Sequence, residues 1–158
     1  MSVKDTFTTE EWQTLLRLPF KIGVALMVVS PSGPIGLTKE TMALAKAPFA
    51  LAQASNANAL VSALAVELQA QAKAIVKDEE SAFKHSDPAT YKGKTIEACQ
   101  AAAAALSKTS ADYAGAYRTW VLAVGQKVAE AAKEGSVLVS DQEQALLKDM
   151  DEALNVSA

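Results

Sequence analysis

Apolar residues recur at spacings of three and four along most of this chain, and they alternate with polar ones over no useful length, so the pattern predicts helices and no sheet. Thr8 followed by Glu11 has the form of a capping box that opens a first helix, with Trp12, Leu15 and Leu16 as its apolar stripe. Pro19 removes an amide donor, so this helix is expected to kink or to restart near Leu18. From Ile22 to Val29 nearly every position is apolar, the pattern of a helix covered on all sides, and this segment is the expected centre of the fold.

The run Ser30-Pro31-Ser32-Gly33-Pro34-Ile35-Gly36 demands a turn. Thr38 can cap the next helix, through Met42 and Leu44, which Pro48 interrupts or bends. Ser55 or Asn56 can cap a long amphipathic helix whose stripe is Leu60, Leu64, Leu68, Ala72, Ile75 and Val76. Ser86-Asp87-Pro88 and Lys92-Gly93-Lys94 bracket a middle loop, after which Thr95 can cap a shorter helix with Ile96, Cys99, Ala103 and Leu106 inward. A break at Ser107 to Ser110 precedes the clearest stripe, Tyr113, Tyr117, Trp120, Val121, Val124, Val128 and Ala131, which ends at Gly135. Ser140 with Glu143 opens a last helix, with Leu146, Leu147, Met150 and Leu154 inward. Val137-Leu138-Val139 is the one β-branched cluster outside a helix and reads as a buried turn. The expected architecture is therefore all-α, one domain over residues 1–158 with about six helices around a central apolar one and short tails at 1–7 and 155–158.

Composition sharpens this picture. Half of the 158 residues are hydrophobic and 21% are charged, which argues against disorder. Alanine supplies about one residue in five, favouring slim, closely packed helices. The net charge of −3 comes from 15 basic and 18 acidic residues without a basic cluster, so nucleic acid is not an expected partner. The N-terminus lacks a secretion signal, the longest apolar run is far short of the roughly 20 residues of a membrane span, and the single cysteine suits a reducing compartment. Cytoplasmic residence without membrane association is the expectation.

The two ends of the chain echo each other: an aromatic anchor (Trp12, Trp120), an apolar helix, a glycine-containing turn (Gly33 and Gly36, Gly135), then a polar residue with Glu shortly after (Thr38-Lys39-Glu40, Ser140 with Glu143). A helix-loop-helix duplication would produce this echo, and so would two ordinary helix turns. The residues Thr9-Glu10-Glu11-Trp12 with Pro19, the turn Pro31 to Gly36 with Lys39-Glu40, and Val128 to Gly135 followed by Val139-Ser140 and Glu143 resemble a family of small bacterial all-helical proteins with no established activity. The chain departs from that pattern after Gly135, where the family tends to carry a longer glycine-rich loop. It is more distantly similar to helical domains of the tellurite-resistance type, whose acidic turns are proposed to bind metal. The corresponding turns here, Ser30-Pro31-Ser32-Gly33 and Lys133-Glu134-Gly135-Ser136, have no aspartate cluster, so the resemblance implies no metal site.

Candidate chemistry is sparse. One histidine, His85, excludes the paired Glu-x-x-His motifs of a di-iron bundle and starves zinc or Ser-His-Asp arrangements. His85 is expected to sit at a helix C-terminus, and Cys99 to be a buried, inert thiol. Gly33 to Lys39 lacks the spacing and preceding strand of a nucleotide loop, although a helix start at Thr38 and Lys39 could hold a small anion. Tyr113, Tyr117, Arg118 and Trp120 form either a pocket lining or, more simply, core with phenol tips at the surface. Glu79, Glu80 and Lys84 read as a solvated face.

These observations predict a non-enzymatic helical protein that works by self-association or protein binding, as a homo-oligomer and with no cofactor. The alternatives are a small-molecule or anion site at the turns 30–40 and 133–143, with Thr38, Lys39, Glu40, Tyr117 and Glu134 as its candidates, and a stress-related metal binder.

Overall fold

In the computed structural model, which describes residues 3–29, 46–52, 59–85, 87–131 and 141–155, the predicted capping box closes reciprocally. The Thr8 amide donates to Glu11 Oε2 at 2.8 Å and the Glu11 amide to Thr8 Oγ1 at 3.1 Å. Phe7 before the cap meets Trp12 after it, ring centroids 6.0 Å apart, as a hydrophobic staple. Residues expected as a tail are thus part of the structure. Val3–Thr6 forms a 3-10 turn, Phe7 is buried, and Lys4 pairs with Glu67.

The first helix, α1, runs unbroken over Thr9–Val29, so Pro19 neither ends it nor restarts it. Ile22 to Val29 is its second half rather than a separate helix. The reason lies outside the helix. Pro19 has no amide to give the carbonyl four residues earlier, Leu15, and that oxygen instead accepts the Tyr117 hydroxyl at 2.8 Å. A side chain 102 positions along replaces the bond that proline removes.

Residues 46–52 form a short second helix, α2, which contains Pro48. The others are α3 (Ala59–Lys84), α4 (Pro88–Leu106), α5 (Ala111–Ala131) and α6 (Asp141–Leu154). The protein is an all-α, single-domain bundle, with six α-helices and no strand among the described residues. Helix α1 packs on α3, α4, α5 and α6, which makes it the hub the apolar pattern predicted. Leu15, Leu16, Leu18, Phe20, Ile22 and Leu26 are fully buried on it.

Helix α4 corrects the sequence reading. Ser86 to Lys94 was expected as a loop, with Thr95 as the cap. Instead Asp87 is the cap, its carboxylate accepting from the Thr90 amide at 2.9 Å and the Thr90 hydroxyl at 2.7 Å, and Pro88 takes the first turn, where no amide partner is missed. Thr95 is a buried mid-helix residue that donates to the Tyr91 carbonyl at 3.0 Å. Gly93 lies within the helix, with open space where a Cβ would stand. The break at Ser107 to Ser110 is present, and Ser110 Oγ accepts the Tyr113 amide at 3.3 Å.

Gly125 on α5 has a packing role the sequence reading passed over. A Cβ there would stand 2.8 Å from Ile22 Cγ2 and 3.0 Å from both Leu26 Cδ1 and Leu147 Cδ2. Glycine lets α1, α5 and α6 converge at this point. The expected turn at 30–36, the helix start at Thr38, the caps Ser55, Asn56 and Ser140, and Gly135 lie outside the described residues, and so do both turns of the proposed pseudo-repeat.

Candidate functional site

Of the residues singled out as a possible ligand site, Thr38, Lys39, Glu40 and Glu134 lie outside the described residues, and Tyr117 is inside the core. Its side chain is fully buried with the hydroxyl on Leu15, its ring meets Trp120 edge-on at 5.9 Å, and desolvation holds its proton on well above the ordinary phenol range. Its tip does not reach the surface. Trp120 is equally buried and donates Nε1–H to the Pro48 carbonyl at 2.9 Å, which ties α2 to α5. Cys99 is buried, and desolvation pushes its thiol up to about 12, the inert thiol expected. His85 closes α3 as expected, its Nδ1 2.8 Å from the Ser81 carbonyl.

The polar group the sequence reading misplaced is Glu79. The charge pattern of Glu79, Glu80 and Lys84 predicts a solvated face, yet the Glu79 side chain is only 3% exposed. Lys21 Nζ on α1 donates to both carboxylate oxygens, at 3.0 and 2.9 Å, and the Tyr91 hydroxyl on α4 donates to Oε2 at 2.8 Å. Arg17 adds charge at 3.7 Å while bonding Asp78 at 3.3 Å. Lys21 also stands 5.8 Å from the Tyr91 ring centroid, and Phe83 covers that ring edge-on at 6.0 Å. Burial first, and then the Glu79 charge, push the Tyr91 hydroxyl far above its ordinary value, so this phenol is not poised for proton transfer near neutrality. The chemistry of this knot is structural: it joins α1, α3 and α4. The available signal was the helical register, since Glu79 continues the Leu64, Leu68, Ile75 face of α3 at spacings of four and seven.

A second carboxylate on α3 does similar work nearer solvent. Glu67 accepts Lys4 Nζ at 2.6 Å and Trp12 Nε1–H at 2.9 Å, and the lysine first, then the indole, lower its pKa below the ordinary glutamate value. Glu11 is likewise held low, by Lys108 and by the Thr8 cap.

A groove of about 550 Å³ opens between α2 and α3, with Phe49 on one wall, Ala72 and Val76 on the other, and Lys73, Lys77 and Glu80 beside them. A smaller hollow, about 210 Å³, lies at the α4–α5 turn beside Ser107, Thr109 and Arg118. Among the described residues no group of three or more His, Cys, Asp or Glu side chains is placed to hold a metal ion. One described helix, α3, is long and apolar enough to cross a membrane by length and composition; its most apolar 18-residue window has a mean hydropathy of 1.3 and is 28% buried. No protein-family model, no curated protein and no solved structure matches this chain.

Proposed function

We propose that the protein is a cytosolic, non-enzymatic helical protein that acts by self-association, with the outward face of α3 as its contact surface. The observation that carries this reading is the mismatch between how apolar α3 is and how little of it the bundle covers. Its inner stripe, Leu60, Leu64, Leu68 and Ile75, is buried on the bundle. The opposite face of its first half presents Ala59, Ser62, Val66 and Ala70 to solvent, and Val66 is a large hydrophobic residue left 66% exposed. Small side chains let a second helix approach closely, and the same patch on two copies makes a self-complementary twofold contact. The resemblance to small bacterial helical proteins is compatible with this reading and adds no activity to it.

Light scattering during size-exclusion chromatography over a hundredfold concentration range tests it. A dimer that Val66→Lys converts to monomer, with unchanged helicity, is the expected result. A monomer at every concentration would overturn the reading.

A further inference from the structure

The groove between α2 and α3 has features that the association reading does not use. Its walls are apolar: Phe49 faces Ala72 and Val76, which lie one turn apart on α3. The Phe49 wall is held in place, because its neighbour Pro48 is buried and its carbonyl takes the Trp120 indole N–H at 2.9 Å. The groove's volume of about 550 Å³ lies inside the range of roughly 300–1,000 Å³ typical of small-molecule sites.

The lysines beside it differ from the four cations that tie helices together. Lys4, Arg17, Lys21 and Lys108 each meet a carboxylate, on Glu67, Asp78 and Glu79, Glu79, and Glu11 respectively. Lys73 and Lys77 are exposed, stand one helical turn apart on the groove, and meet no carboxylate among the described residues. An apolar slot with two ammonium groups against one carboxylate, Glu80, keeps a net positive edge that is complementary to a molecule with an alkyl chain and an anionic head.

We propose that the α2–α3 groove binds a single-chain anionic amphiphile of the long-chain carboxylate class, the chain between Phe49 and Val76 and the carboxylate between Lys73 and Lys77. Glu80, further along the same groove, repels a carboxylate and so sets the head at the two lysines. This site borders the association face, which shares Ala70 with it, but Val66 itself does not line the groove and lies two helical turns from Lys73.

Isothermal titration calorimetry with dodecanoate, kept below its micelle concentration, tests the proposal on the full chain. One saturable site per chain is expected. Lys73→Glu with Lys77→Glu should weaken it at least tenfold, Lys73→Gln with Lys77→Gln should weaken it less, and all four lie at exposed positions that leave the melting temperature unchanged. A neutral alkyl glucoside and a cationic alkylammonium of the same chain length should bind more weakly than dodecanoate, and neither should lose affinity in the double Glu variant. Val66→Lys should leave dodecanoate binding intact, so loss of the dimer and loss of this site are read separately. Absence of saturation, equal affinity in the double Glu variant, or flotation with anionic vesicles without binding of monomeric dodecanoate would each overturn the proposal.

Discussion

Helix α1 is held on two sides by two different kinds of seam, each with a buried tyrosine at its centre. Toward α3 and α4 the seam is ionic: Tyr91 and Lys21 both donate to the buried Glu79 carboxylate, with Arg17 alongside. Toward α5 and α6 it is neutral: Tyr117 donates to the Leu15 carbonyl, and Gly125 admits Ile22, Leu26 and Leu147 to close contact. The same phenol group satisfies a charge in one seam and repairs a backbone defect in the other. The difference shows that burial asks of a polar group only that its partners be present, and that the partners decide what its loss costs.

The ionic seam should break with the largest effect. Lys21→Met leaves the Glu79 carboxylate buried with its main cation gone, and urea unfolding should show a loss of about 3–5 kcal/mol, the cost of stranding a buried charge. Glu79→Gln in the same chain should recover part of that loss, because the stranded charge goes with it. A double variant as unstable as Lys21→Met alone would mean that the carboxylate charge is not what the lysine compensates.

The neutral seam should respond to geometry and not to charge. Tyr117→Phe removes the hydroxyl that the Leu15 carbonyl accepts and should cost about 1–3 kcal/mol, the penalty of a buried carbonyl that loses a donor. The cost should shrink in a Pro19→Ala background, where an amide is restored four residues along from Leu15. Equal costs in the two backgrounds would separate the hydroxyl from the proline. Gly125→Ala forces a methyl against three side chains and should cost about 1–3 kcal/mol in the same assay.

Effects outside both seams should be smaller. Glu67 is partly exposed, so its pairs with Lys4 and Trp12 fall near the ~0.2–1 kcal/mol of surface ion pairs. Its pKa is lowered on folding from an ordinary 4.5, so its contribution is present above pH 4.5 and fades as the pH falls through the lower folded value. Glu67→Gln should flatten that part of the acid limb in pH-dependent thermal melts. Gly93→Ala, into open space on a helical backbone, should stabilise by about 0.5–1 kcal/mol and raise the melting temperature.

What periodicity carries was legible. In the predicted stripes Leu60, Leu64, Leu68, Ile75 and Tyr117, Trp120, Val121, Val124, Val128 are buried while Ala72, Val76 and Tyr113 are half-buried; the exposed cap at Thr8 forms, and Cys99 is buried. Local punctuation was read less well. Asp87-Pro88 marks a helix start, but the glycine at 93 outweighed it, although a helix tolerates one glycine at about 1 kcal/mol. The groove was not legible at all, because Phe49 and Lys73 come together only when α2 docks on α3.

The sequence by itself determined that the chain is helical and which face of each long helix turns inward, because those properties follow from side-chain spacing and local capping. Only the tertiary structure decided that Pro19 leaves α1 whole, that Glu79 is buried, and where the open apolar surface lies. Each of these depends on a partner from a distant helix: Tyr117 for Leu15, Lys21 and Tyr91 for Glu79, and Phe49 for the outer side of α3.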